Sequence, residues 1–255
     1  MRLHPVLSVV LLCVAVSAGS AQPKAEPKPA TLDPVQGEKE ARILIADLLS
    51  RKPDQNSTNT GVLKIRTGDD KSREIPVRFE VFTTATNWVS AYEIVPEKPG
   101  IQAEKLLVTR APGQANRYEW VKGDKGQTLT GAETLVPFGG SDFLAADLGL
   151  EFFHWPRQRV LRKEMRRSQF CDVLESVNPE SYGYKRVVSW IDADTGAIVH
   201  AEAYDQRNEL LKKFDPTELK KVNGQYQLEE MEIRNPKAES HTWVKFNLKA
   251  GTVRP

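Results

Sequence analysis

Val136 to Phe153 reads VPFGGSDFLAADLGLEFF, and this stretch decides the fold. Gly139 and Gly140 break the chain, and Ser141 or Asp142 then offers a side-chain oxygen to cap a helix. Phe143, Leu144, Leu148 and Phe152 recur at helical spacing as an apolar stripe, with Asp147 and Glu151 left for water. A short apolar helix set among strands plugs or lids a sheet. That points to a hydrophobic cavity rather than to catalytic chemistry.

The segments on either side have period two. Leu63 and Ile65 alternate with Lys64 and Arg66, and Ile75, Val77, Phe79 and Val81 alternate with Pro76, Arg78 and Glu80. Gly68-Asp69-Asp70-Lys71 between them is a hairpin turn signal. Further strands are expected at Trp88–Val95, Lys105–Arg110 and Arg117–Lys122, the last turning through Gly123 to Gly126. After the lid the expected strands are Val160–Arg166, Phe170–Val177, Tyr184–Asp192, Ile198–Tyr204, Leu210–Phe214, Gln225–Arg234 and Thr242–Leu248. The connections are too short for parallel crossovers, so the strands form an antiparallel meander. Asp33 as cap and Pro34 at the first helical position open an N-terminal helix running to about Arg51, with Pro53 stopping it. The fold class is therefore mainly β (α+β): one large, curved antiparallel sheet covered by an N-terminal helix and a central lid helix. Such a sheet must close, or be covered, to hide its edges.

Residues 1–21 have the form of a secretory signal, with Arg2 and His4 ahead of an apolar Val6–Ala18 and small residues up to a cleavage site near Ala21. Cys13 follows Leu11 and Leu12 rather than small residues, which disfavours a lipid-acceptor reading. Residues 22–34, rich in Pro, Lys and Ala, read as a flexible leader, and residues 35–250 as one domain. No later stretch is apolar enough to span a membrane. With 36 basic against 34 acidic residues, net charge gives no support to nucleic-acid binding. Cys171 would be the one cysteine left after cleavage and reads as a small buried hydrophobe in a strand.

Chemistry-bearing constellations are weak. His154, His200 and His241 lie on separate elements with no ligand spacing, so no metal and no cofactor is expected. Asp192-Ala193-Asp194-Thr195-Gly196 begins like a calcium loop but has Ala203 where a bidentate Glu belongs, and reads as a hairpin turn. Ser141 follows two glycines but lacks the G-x-S-x-G elbow, so no enzyme activity is expected. Trp88, Tyr92, Tyr118, Trp120, Phe138, Phe143, Leu148, Phe152, Trp155 and Trp190 are large, lie on strands or the lid, and are candidate cavity linings. The densest basic run supplies Arg157, Arg159, Lys163 and Arg167. It reads as a charged strand edge or as a docking patch for anionic headgroups or an acidic partner.

Gly140-Ser141-Asp142-Phe143 with Asp147-Leu148, then Trp190-Ile191-Asp192 with Gly196, Tyr204-Asp205 and Leu210-Leu211-Lys212, resemble the LolA-like superfamily of outer-membrane lipoprotein-sorting proteins. The resemblance is best over Leu135 to Leu248. It implies an unclosed β-barrel whose concave face, lidded by helices, holds acyl chains of lipoproteins or related lipids. It further implies an exported, periplasmic, monomeric carrier without bond chemistry, in which the lid near Phe143–Phe153 and the first helix, Arg42–Leu49, move to admit the chain. The family's lid-locking arginine has no match here, since no local motif picks out Arg42 or Arg51. The alternative is an envelope sensory or scaffold module binding a protein partner, as anti-sigma-factor regulators resembling this fold do.

Overall fold

The computed structural model describes residues 30–96, 102–222 and 225–248. The expected signal at 1–21 and most of the leader lie outside the described residues. The leader's last residues are in place: Leu32 donates its N–H to Leu161 O at 2.8 Å and packs on the core, so they belong to the fold.

Helix α1 (Pro34–Ser50) starts where Asp33 accepts the N–H groups of Val35 (3.0 Å) and Gln36 (3.3 Å), with proline at the first position. It buries Gly37 and Ala41. A Cβ on Gly37 would meet Val160 O at 2.4 Å, so glycine is what lets the helix backbone approach the neighbouring strand so closely.

Six strands follow: β1 (Ser57–Arg66), β2 (Ser72–Thr83), β3 (Trp88–Ile94), β4 (Glu104–Arg110), β5 (Arg117–Lys122) and β6 (Lys125–Leu129). Residues 130–156 then cross the concave side of the sheet. Seven more strands return: β7 (Arg157–Arg166), β8 (Gln169–Val177), β9 (Arg186–Asp192), β10 (Ile198–Tyr204), β11 (Leu210–Val222), β12 (Gln225–Asn235) and β13 (Ser240–Phe246). The strands form one thirteen-stranded antiparallel sheet in the order β6-β5-β4-β3-β2-β1-β13-β12-β11-β10-β9-β8-β7. Each wing is a meander of nearest-neighbour hairpins, and the β1–β13 ladder, Gly61 opposite Phe246 to Arg66 opposite His241, joins them. The edges β6 and β7 do not pair, so this is an unclosed barrel, and α1 runs along the β7 edge.

Strand β11 continues past Phe214, where the sequence pattern stops. Pro216 sits inside it beside a register shift at Pro216/Glu218, the kind of irregularity that absorbs a missing N–H donor.

The lid differs more from its expected form. It is not one helix from Ser141 to Phe153 but a chain of short turns: 3-10 turns at Gly131–Leu135 and Phe138–Gly140, helix α2 (Ala145–Gly149), and a 3-10 turn at Glu151–His154. Leu150 adopts a left-handed conformation (φ 53°) and ends α2 after five residues. Neither Ser141 nor Asp142 caps α2. Asp147 does, accepting the N–H of Leu144 at 2.9 Å.

The inner face carries two apolar clusters. One joins β1–β6, β12 and β13 to Phe138, Phe143, Ala145 and Leu148 of the lid. The other joins α1 and β7–β10 to Phe152 and Phe153. Burying each of these large lid side chains is worth about 1.5–3 kcal/mol, so the lid is part of the core. Cys171, fully buried, belongs to a third cluster with Val173, Val188, Trp190 and Val199.

Candidate functional site

Where the two inner clusters meet, the side chains do not fill the space. A mainly apolar cavity of about 200 Å³ lies between the lid and the wall formed by β9–β12. Its cause is readable in β10. Ala201 and Ala203 project two small side chains into a wall whose cross-strand partners are Ser189 and Phe214 for Ala201 and Val187 and Lys212 for Ala203. Tyr92, Phe143, Leu148, Leu150 and Phe152 form the opposite side.

A groove of about 830 Å³ lies outside, between α1 and the end of the lid. Its apolar wall is Ala41, Ile45, Leu49, Phe153, Trp155 and Val177, and its rim carries Glu38, Arg42, Arg157, Arg159 and Glu175. Phe152 lines the inner cavity and Phe153 the groove, their rings 4.6 Å apart, so this aromatic pair is the partition between the two spaces. A third pocket, about 390 Å³, occupies the gap between β6 and the β8–β9 connection, with Tyr118, Glu151, His154 and Trp155 in its lining.

The lid is held by polar clamps from many strands. Arg73 donates to Gly139 O (2.8 Å) and Gly140 O (3.0 Å), and Glu104 accepts from Gly139 N (2.7 Å). Tyr92 and Arg110 both donate to Leu148 O at 2.9 Å. Tyr118 donates to Glu151 at 2.6 Å, and Asn116 donates to Gly149 O at 2.8 Å. Ser240 and Thr242 donate to the carboxylate of Asp142 at 2.5 and 2.8 Å. Burial, then the neighbouring Glu151, pushes the Tyr118 hydroxyl well above the usual phenol range.

One clamp faces the cavity. Asp147 accepts from Tyr184 Oη at 3.0 Å and lies 3.4 Å from Lys212 Nζ, which also donates to Asp142 O. Lys212 is buried and the Asp147 side chain is mostly covered, and the ammonium lies 5.5 Å from the Tyr184 ring. Burial and then Asp147 raise the Tyr184 pKa strongly. Asp147 and Glu151 were expected to face water, and both instead anchor the lid. The helical stripe that assigned them to solvent ends at Leu150.

The expected lining residues separate into groups. Tyr92, Phe143, Leu148 and Phe152 line the inner cavity. Trp155 lines the groove and the gap pocket, and Tyr118 the gap pocket. Trp120 and Phe138 are buried in the packed core of the first wing. Trp88 is buried on the same side of β3 as Tyr92 but borders none of these spaces. Trp190 lies on the other face of the sheet, packed with Val188 and Val173, under the Arg166 guanidinium at 4.4 Å.

The basic run does not form one patch. Arg157 and Arg159 oppose Val177 and Glu175 on β8, but a bulge between Val160 and Arg162 shifts the register, so Lys163 opposes Asp172 and points to the other face. Arg159 pairs with Glu175 (3.1 Å), and Lys163 with Glu40 of α1 (3.0 Å) and Asp172 (3.2 Å). Arg167 is in the β7–β8 turn at φ 49° and pairs with Asp215 at 3.1 Å. Lys163 thus ties α1 to the sheet edge.

The Asp192 turn is a hairpin in which the Asp192 carboxylate accepts from Asp194 N (3.2 Å), Thr195 N (2.7 Å) and Thr195 Oγ1 (2.7 Å). Among the described residues no three His, Cys, Asp or Glu side chains are grouped to hold a metal ion, and no helix is long and apolar enough to cross a membrane.

A family model described as an uncharacterized protein matches residues 122–249, half of the 255-residue chain. Among solved structures, the chain is similar to a DUF1329 family protein from Desulfovibrio piger, with TM-score 0.68 and 19% identity over 86% of this chain and 95% of that one. It is similar to a domain described as an outer membrane lipoprotein-sorting protein from Vibrio parahaemolyticus, with TM-score 0.68 and 18% identity over 84% and 91%. It is also similar to a LolA superfamily protein from Nitrosomonas europaea, with TM-score 0.53 and 16% identity over 86% and 95%. No curated protein matches the chain.

Proposed function

Since the chain belongs to the uncharacterized protein family whose model covers residues 122–249, and has the LolA-like fold, we propose that it is a periplasmic binding protein for lipoproteins or other acylated ligands. Residues 35–250 act as one binding domain and residues 1–21 as its export signal. What supports the reading above all is the apolar cavity on the concave face, left by Ala201 and Ala203 and adjoined by the groove under α1.

The inner cavity alone, at about 200 Å³, is below the roughly 300–1,000 Å³ of a typical ligand pocket, whereas the groove is within that range. An acyl chain therefore enters by way of the groove and uses the inner cavity for its end. Each methylene withdrawn from water contributes about 0.8 kcal/mol, with no directional chemistry required. The moving part is α1 rather than the lid. The lid is bonded to strands across both wings, whereas α1 rests on the second wing alone: Ala41, Leu44, Ile45, Leu48 and Leu49 pack on its apolar cluster, Glu40 pairs with Lys163, and Arg51 at the helix end donates to Thr195 O. Shifting α1 and rotating Phe152 and Phe153 would join groove and cavity.

The test is native mass spectrometry of the purified protein, delipidated and re-exposed to lipid extract, together with titration of a fluorescent fatty-acid probe. Saturable one-to-one binding is expected. Absence of any lipid adduct and of probe binding would refute the carrier reading and leave the fold as a protein-interaction module.

A further inference from the structure

We infer that the groove under α1 selects amphiphiles with a negatively charged head, carboxylate or phosphate, held at its mouth by Arg42 and Arg157. This rests on the carrier reading above and specifies its ligand class. Both arginines line the groove and are exposed. Among the described residues neither has a carboxylate partner, unlike Arg159, which holds Glu175 at 3.1 Å.

The charge balance around them is positive. Glu175 is doubly engaged, by Arg159 and by Arg186 at 3.6 Å, leaving Glu38 as the one acid of the lining without an ion-pair partner among the described residues. Burial holds the His154 imidazole below its ordinary pKa, so it adds no opposing or supporting charge near neutral pH. Three guanidinium groups of the lining, Arg42, Arg157 and Arg159, thus stand against two carboxylates, Glu38 and Glu175, beside an apolar trough.

The inner cavity offers nothing comparable. Its single cation among the described residues, Lys212, is already paired with Asp147. An ion forced in there would lose its hydration without a free partner. Head and tail are thereby sorted: the tail runs along Ile45, Leu49 and Phe153 toward the cavity, and the anionic head stays at the mouth. There a guanidinium fork matches the planar oxygens of carboxylate or phosphate.

The experiment compares palmitic acid, hexadecyl phosphate, hexadecanol and a hexadecyl ammonium salt as competitors of a neutral fluorescent alkyl probe, at a pH where the acid is ionised. The wild-type protein should take the acid or the phosphate roughly tenfold more tightly than the alcohol, the factor expected of partly solvated charge pairs. The ammonium salt should bind weakest. Which anion binds more tightly identifies the head. Raising ionic strength should erase the preference. Arg42→Gln with Arg157→Gln should bring the anions down to the alcohol's affinity and leave the alcohol unchanged, with circular dichroism reporting an intact fold. An alcohol bound as tightly as the acid, or a variant that weakens alcohol and acid alike, overturns the head assignment while the carrier reading stands. Failure of all four to compete, with no probe binding, removes both.

Discussion

Asp147→Ala tests whether the lid is fixed by the buried pair beside the cavity. Asp147 Oδ2 receives the Leu144 N–H at 2.9 Å and the Tyr184 hydroxyl at 3.0 Å, and lies 3.4 Å from Lys212 Nζ. The side chains of Lys212 and Asp147 are 8% and 13% exposed, so solvent barely screens them. Truncation leaves the ammonium with the Asp142 carbonyl alone and the Tyr184 hydroxyl without its acceptor. Breaking a buried pair in this way costs about 3–5 kcal/mol, of which the lost cap of α2 supplies about 1. For a domain of this size that is a fall in Tm of roughly 6–20 °C. Asp147→Leu combined with Lys212→Met replaces both charges by apolar groups and should recover most of the loss. Urea unfolding of wild type, Asp147→Leu, Lys212→Met and the double variant gives the coupling. If the two single losses add to within about 0.5 kcal/mol, the residues act independently and the clamp does not exist.

Ala203→Leu should project into the cavity, hold or raise stability by about 1 kcal/mol, and lower probe affinity several-fold; a thermal melt with a probe titration checks both, and unchanged binding would place the tail elsewhere. Gly149→Ala should cost about 1–3 kcal/mol, because its Cβ would come within 1.9 Å of Tyr118 Oη; an unchanged urea midpoint would mean that Tyr118 does not press on the lid. Raising the Tyr118 and Tyr184 pKa values gives stability that is full below the ordinary 10.0 and lost as pH rises beyond it. In an alkaline absorbance titration these two of the six tyrosines should therefore ionise only as the lid unfolds. For Glu40, hydrogen bonds from Gln36 and then Lys163 lower the pKa, so its contribution is full above the ordinary 4.5 and lost as pH falls through the lower folded value. Hydrogen exchange in α1 should accelerate across that acid window, and unchanged protection would show that the pair does not hold the helix.

Much of the fold is legible because it is local. The Asp33-Pro34 start of α1, the alternation along β1 and β2 and the turn after Asp192 each depend on residues close in sequence, and each is found where expected. The site is less legible because it depends on contacts between distant residues. Asp147 looks like a solvent-facing helical position until Tyr184, just before β9, and Lys212, on β11, arrive beside it. Trp190 was misplaced because β9 is apolar on both faces: Val187, Val188, Trp190 and Ile191 are all buried, so period two does not say which side faces the cavity. The bulge at Val160/Arg162 reverses Lys163 in the same silent way. The one overlooked local signal is Ala201 with Ala203, two small residues on one face of a strand with bulky neighbours, which is how a wall records a vacancy.

Because β13 pairs with β1, the two wings of the sheet are joined through the last of its strands to be made. Among the described residues every other ladder closes between strands adjacent in the chain and can form early, at low loop entropy; the β1–β13 ladder must wait for every strand between them. Until then β1 offers an unpaired edge, and Leu63 and Ile65 lack Val244 and Thr242 opposite them. The last strand thus acts as a zip whose arrival converts two hairpin stacks into one vessel. A chain shortened before Ser240 should therefore be a substrate for chaperones and proteases rather than a weaker version of the same protein.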